Sequence, residues 1–218
     1  MSGTKRVRMT RSEIQAQTRE RLLLSAHQVF ARSGYGGTSV DAIAAEAGYS
    51  KGAFYSNFAT KEAIVLELLE RYGNEEMETF RRIMALAPAD ARKALARWLD
   101  EIHPDEDWAL LEIELALHAR RNPEFAKRFY AIEQRLTEFH AQWIEDLFAQ
   151  RGRKPPIDPV DLSLALRTLS CGVYLKLPPT PPHTRNAASK IIQTLLDVLA
   201  PIDAPPAPSP TMQAERSS

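Results

Sequence analysis

Lys51, Gly52, Tyr55, Ser56 and Asn57 lie within seven residues of one another, and Lys61 follows four positions later. Their ammonium, phenol, hydroxyl and amide groups are hydrogen-bond donors, the chemistry that meets phosphate oxygens and the acceptor edges of bases. A Lys at the start of a helix can donate to guanine O6 and N7. Gly52 has no side chain, so the backbone can approach a surface closely there. The set suits a polyanion, and it needs a scaffold that turns all of these groups outward.

That scaffold is legible in T-S-V-D-A-I-A-A-E-A-G-Y-S-K-G-A-F-Y-S-N-F-A-T-K-E-A-I, residues 38–64. Val40, Ile43, Ala44 and Ala47 recur at helical spacing and give a short helix one apolar face. Gly48 supplies the left-handed residue that ends it. Ser50 then opens a second short helix, in which Phe54 and Phe58, four apart, point inward and leave Lys51, Tyr55, Ser56 and Asn57 toward solvent. Two short helices across a Gly-containing turn make a helix-turn-helix, here about 39–58, whose second helix fits the major groove of duplex DNA. A longer helix precedes the pair, from about Arg11 to Ser33, with Ile14, Leu22, Leu23, Ala26, Val29 and Phe30 inward and Gly34 at its end. Thr38, Ser50 and Thr60 read as N-caps, with Asp41 completing a capping-box variant after Thr38.

Charge divides the chain in the same place. Lys plus Arg and Asp plus Glu are both 28, yet residues 1–61 hold nine basic groups against four acidic ones. The first part is therefore +5 and the rest −5, a basic head on an acidic body. No apolar run approaches the roughly 20 residues of a membrane span, and the basic start lacks the apolar stretch of a secretory signal. A protein of the cytoplasm, lying with the nucleoid and making no membrane contact, is expected. Cys171 stands alone, so neither an internal disulfide nor a CxxC metal site is possible, and no metal or other cofactor is expected.

Beyond about Met84 longer helices are expected near 89–102, 105–121, 123–151, 159–177 and 185–200. Asn122-Pro123 and Asp158-Pro159 read as an N-cap followed by Pro at the first helical position. Phe125, Phe129, Ile132, Leu136, Phe139, Trp143 and Leu147 form one four-three stripe, and Leu162, Leu166, Leu169, Val173 and Leu177 another. The whole chain reads as all-α. Past Pro201 the Pro-rich tail has the composition of a disordered segment.

Residues 38–64 resemble the TetR family of bacterial transcriptional regulators. The family's pattern is matched by Thr38, Ile43-Ala44, Ala47-Gly48, Ser50, Gly52, Tyr55, Phe58 and Lys61, and residues 22–35 look like its first helix. Tyr49 stands where a small aliphatic is usual, and Asn57 where His is frequent. The resemblance implies a flexible arm over 1–15, a three-helix DNA-binding domain over 16–76, a larger helical ligand-binding and dimerisation domain over 77–200, and a tail over 201–218. It implies phosphate contacts from Thr38, Tyr55, Asn57 and Lys61. Base-edge approach falls to Lys51, Gly52, Ala53 and Tyr55, with Ser50 beside them at the helix start.

Family members typically repress transcription as dimers and leave DNA when a small molecule fills the second domain. The resemblance thus implies a palindromic double-stranded operator, a homodimer through 159–177 and 185–200, and a hydrophobic or aromatic effector. Trp98, Trp108, Leu111, Glu112, Leu115, His118, Phe129, Phe139, His140, Trp143, Cys171 and Tyr174 are the candidate effector contacts, each also readable as ordinary core. A regulator without an effector, working through protein contacts, is the alternative. An enzyme is disfavoured, because H-E-x-x-H, G-x-S-x-G and a P-loop Lys are absent and Glu112 and Glu114 point to different helix faces.

Overall fold

The computed structural model describes residues 10–102, 106–176 and 187–199. Among them it contains helices and no strand: α1 (Arg11–Gly37), α2 (Val40–Glu46), α3 (Lys51–Tyr55), α4 (Lys61–Met84), α5 (Pro88–Ile102), α6 (Glu106–Ala119), α7 (Pro123–Ala149), α8 (Pro159–Lys176) and α9 (Ala187–Leu199). The all-α reading holds. Residues 1–9 of the expected arm, residues 177–186 and the 201–218 tail lie outside the described residues.

Two compact units divide the chain. Among the described residues, the first takes those through Asn74 together with Leu110–Phe129, and the second takes those of Glu75–Ala109 and those from Tyr130 onward. The second stretch of the first unit, which carries most of α6 and the start of α7, has no counterpart in the 16–76 span expected from sequence.

In the first unit a capping box opens α1: Thr10 Oγ1 accepts from Glu13 N at 3.3 Å, and Thr10 N donates to Glu13 Oε2 at 2.6 Å. Leu22, Leu23, Ala26, Val29 and Phe30 pack inward with Ile43 and Ala44 of α2, Phe54 of α3, Phe58, and Ile64, Val65 and Leu68 of α4. Ile14 departs from expectation and is 51% exposed, because the first turn of α1 projects beyond the apolar positions it was grouped with. The helix also does not stop at Gly34. Gly34 kinks it at φ 65, and helical turns resume as far as Gly37.

That displacement moves the next cap. Thr38 becomes the C-cap of α1, and Ser39 caps α2 by accepting from Ala42 N at 3.1 Å, so the Thr38–Asp41 capping box does not form. Ser50 and Thr60 cap as expected, accepting from Ala53 N at 3.2 Å and Ala63 N at 3.0 Å. Asp158 caps α8 through Val160 N at 2.8 Å. Asn122 instead turns its amide nitrogen back to the His118 carbonyl at 2.8 Å.

The core of the second unit gathers Phe80, Leu99, Trp143, Ile144, Phe148, Leu162, Ile192 and Leu196 from α4, α5, α7, α8 and α9. Phe80 is its hub, with ring centroids 4.6 Å from Trp98 and 5.1 Å from Trp143. Helix α8 is apolar on two faces. Leu162 is buried and Leu166 is half-buried against the core, while Val160, Leu164 and Leu175 are exposed on the other side. Ile191, Leu195 and Val198 of α9 are also exposed. No described helix is long and apolar enough to cross a membrane.

Candidate nucleic-acid interface

Helix α3 has five residues, too few to be stable on its own hydrogen bonds. Tertiary packing holds it. Phe54 and Phe58 are both buried with centroids 5.7 Å apart, and the turn before the helix is locked by paired reverse bonds. Gly48, at φ 74, donates to Ala45 O at 3.0 Å, and Tyr49 N donates to Ala44 O at 2.8 Å. This is the Schellman arrangement, and it needs the left-handed residue that Gly48 supplies.

The remaining flank of α3 faces outward. Tyr55 is 51% exposed and Gly52 is open, while Ala53 is half-buried. Lys51 is exposed, but its Nζ lies 2.7 Å from Asp41 Oδ2 on α2, and that bond holds its pKa above the ordinary lysine value. Solvent and salt screen a surface pair of this kind, so phosphate or a base can compete for the ammonium. Ser56 Oγ bonds back to Gly52 O at 2.9 Å. Asn57 turns its Nδ2 to Ala53 O at 2.8 Å and leaves Oδ1 buried without a hydrogen-bond partner among the described residues. An outward Asn57 amide, expected from helical spacing, is not what the structure contains.

Thr38 and Lys61 are turned inward as well. Thr38 is buried, and its hydroxyl donates to Gly34 O at 2.7 Å, where it closes the kinked end of α1. Lys61 Nζ donates to Tyr35 O at 2.7 Å and Thr38 O at 2.8 Å, above the Tyr35 ring at 4.1 Å. Burial pulls its pKa below the ordinary lysine value, against the opposing charges of Glu114 and Glu62. The surface lysine expected in the first turn of α4 is instead a tie between α4 and the end of α1.

Three further basic groups among the described residues of this region are similarly committed. Arg19 is paired with Glu67 and stands 4.1 Å over the Phe58 ring, Arg21 lies 5.3 Å over Tyr49, and Arg32 meets Glu46 at 2.7 Å. Formal charge counted along the chain therefore overstates how many cations are left for a polyanion.

A polar cluster that sequence reasoning did not assemble sits in the same unit. Glu114 Oε2 accepts from Tyr35 N at 2.6 Å and Gly36 N at 3.2 Å. His118 Nε2 lies 2.8 Å from Glu62 Oε1 and 3.5 Å from the Tyr35 hydroxyl, and Asn122 Nδ2 reaches its Nδ1 at 3.0 Å. Burial, then the charge of Glu62, pushes the Tyr35 phenol well above its ordinary pKa. Apart from Asn122 and His118, four apart, the partners are 56 to 83 residues apart in sequence, and only Gly34 and Tyr35 beside a helix end hinted at them.

The twelve candidate effector contacts are divided between the two units. Leu111, Glu112, Leu115, His118 and Phe129 belong to the first unit, where Leu111, Leu115 and Phe129 are buried core. Trp98, Trp108, Phe139, His140, Trp143, Cys171 and Tyr174 belong to the second. The side chain of Tyr174 lies outside the described ones. His140 is buried against Phe80 with its Nε2 3.2 Å from Glu76 Oε1, but at an angle that makes no hydrogen bond. His118 and His140 are thus engaged separately, one in each unit.

Comparison with known proteins places this arrangement. The model of bacterial regulatory proteins of the tetR family matches residues 22–68, and that of the BetI-type transcriptional repressor C-terminal region matches residues 87–201. The HTH-type transcriptional regulator YuxN of Bacillus subtilis is 30% identical over 167 residues, covering 72% of this chain and 54% of its own. UidR of Escherichia coli K12 is 26% identical over 76% of this chain and 84% of its own. The chain spans about half the length of YuxN and 23% of another Bacillus relative, YerO. Among solved structures, a Saccharomonospora viridis regulator in complex with choline superposes with a TM-score of 0.66 at 21% identity, over 84% of this chain and 96% of that one. FadR of Bacillus subtilis, in complex with stearoyl-CoA, gives 0.64 at 18% identity, over 84% and 97%. Likeness at these identities is likeness of fold.

Proposed function

The chain belongs to the TetR family of bacterial regulatory proteins, and on that premise we propose that it is a transcriptional regulator that reads duplex DNA with α3. The observation that carries this reading is the exposed flank of α3, with Tyr55 and Lys51 outward and Gly52 open, on a helix whose opposite side is sealed by Phe54 and Phe58. In this reading Tyr55 and Lys51 supply the contacts to phosphate and base edges, and Ser50 holds the start of the helix. Thr38, Lys61 and Asn57 act by holding the backbone that carries them.

One helix of five residues reads too little sequence to find a site in a genome, whereas two reading heads about 34–36 Å apart read a palindrome. The protein therefore works as a homodimer, and the exposed apolar face of α8 and α9 is the surface that pairs. A small molecule bound in the second unit releases the operator, as a repressor's effector does. The structural relatives crystallised with stearoyl-CoA and with choline support an effector for this chain without indicating which.

The test is a gel shift on DNA upstream of the protein's own gene, comparing the natural chain with Tyr55→Ala. Affinity is expected to fall about tenfold or more with an unchanged melting temperature, since one lost base or phosphate contact is worth about 1–3 kcal/mol. Equal affinity of the two proteins would remove α3 as the reading helix.

A further inference from the structure

We propose that a cavity among α4, α5, α7 and α9 of the second unit binds a small amphipathic anion, with an apolar chain inside and a carboxylate on Arg151 at the mouth. The cavity has a volume of about 60 Å³. By the same measure a single water needs about 10–15 Å³, so a short chain of methylenes has room. Its walls are mostly apolar, with Ile83, Met84, Leu95, Trp143, Leu147 and Leu196 beside the amides of Gln150 and Gln193. An apolar chain seated against these walls is removed from water, which favours its binding.

Its rim has the opposite character, with Arg92, Arg151 and Asp197 as the charged lining residues. Asp197 is ion-paired with Arg92. Arg151, half-buried, spends one N–H on Leu147 O at 2.7 Å and has no carboxylate bonded to it among the described residues. Burial first, then the charge of Arg92, depresses its pKa, and Asp197 only partly offsets them. Two guanidinium groups facing one carboxylate leave a single uncompensated positive charge beside an apolar hole. An anion restores neutrality there and can take two parallel N–H bonds from one guanidinium. A cation would meet the same charge as repulsion. The indole N–H of Trp143 is buried without an acceptor among the described residues, which leaves a donor in the wall as well.

Binding itself does not depend on the function proposed above, whereas the role of this anion as the effector rests on it. The experiment is calorimetric titration of the full chain with hexanoate, and with hexyltrimethylammonium as a cation of matched chain. Hexanoate is expected to bind, and the cation to bind at least tenfold more weakly. Arg151→Met should lose tenfold or more in hexanoate affinity and Arg151→Lys less. Ala96→Leu, which fills the cavity from a helical position, should abolish binding while the protein stays folded by circular dichroism. No heat with hexanoate, equal affinity for the cation, or hexanoate affinity untouched by both Arg151→Met and Ala96→Leu would each overturn the site. A gel shift with hexanoate present separates the two readings. Release of DNA supports the anion as effector, while calorimetric binding without release keeps the site and removes that role.

Discussion

Lys61 shows how little residue type says about which way a charge points. In sequence it is a lysine in the first turn of a helix, four residues past the candidate reading helix, and a phosphate contact is the natural expectation. In the structure its ammonium bridges two carbonyls of the preceding helix end, Tyr35 O and Thr38 O. Charge-assisted hydrogen bonds of this kind contribute about 1.5–3 kcal/mol each when fully sheltered, and less at a half-buried site. Lys61→Met should therefore destabilise the first unit by about 1–3 kcal/mol and lower the melting temperature by several degrees. Thermal denaturation followed by circular dichroism checks this. A variant that melts with the natural protein and merely binds DNA less well would return Lys61 to a surface role.

At the scale of elements, the joint between α1 and α2 matters most, because it sets where the helix-turn-helix begins. Gly34 there adopts φ 65 and ψ 177, a region that side chains other than glycine's rarely enter. A Cβ at this position would also run into the Glu114 carboxylate. That carboxylate caps the backbone N–H groups of Tyr35 and Gly36, so it has little freedom to retreat. Gly34→Ala is expected to cost about 1–3 kcal/mol from the backbone alone, with a further loss from the displaced Glu114. Gly37→Ala, where an added Cβ would meet only Ser33 Cβ at 3.5 Å, serves as the control. Equal melting temperatures for the two variants would contradict the strained joint.

This joint also explains why sequence reading came within a few residues of the end of α1 and the start of α2 and missed the fold's second stretch. Gly34 and Thr38 punctuate the local pattern, and caps and glycines act over three or four residues, which is the range of a pattern. The bonds from Glu114 and His118 span 56 to 83 residues. Nothing in helical periodicity records which distant carboxylate satisfies an exposed backbone end.

For the molecule as a whole, the apolar face of α8 and α9 is the feature without a covering element among the described residues. Leu164 and Val198 are 55% and 70% exposed, and the shallow groove beside Leu164 runs past Leu169, Val173 and Ile191. Exposed apolar surface of this extent on two adjacent helices is characteristic of an interface. Leu164→Asp is expected to convert a dimer to a monomer in analytical ultracentrifugation, and to weaken operator binding with it, since a single head has too few contacts. The leucine stripe read from sequence gave only half of this picture. Leu162 packs on the core and Leu166 leans against it, whereas the uncovered face belongs to Val160, Leu164 and Leu175. A helix apolar on two faces carries no periodic signal to say which side meets which partner.

The order of side chains along the chain was enough to specify the all-α class, the helix starts at Ser50 and Thr60, the turn at Gly48, and the burial of Phe54 and Phe58 behind an outward Tyr55. The pattern that announces these features spans residues at most five apart, so spacing encodes them, although packing against other helices completes the burial of Phe54 and Phe58. Tertiary structure alone decided that Lys61, Thr38 and Arg19 are spent inside the first unit, that α6 joins it, and that one unmatched guanidinium guards an apolar hole in the second. Those outcomes depend on which buried charge or carbonyl finds which partner after the chain has closed on itself, and no local pattern carries that information.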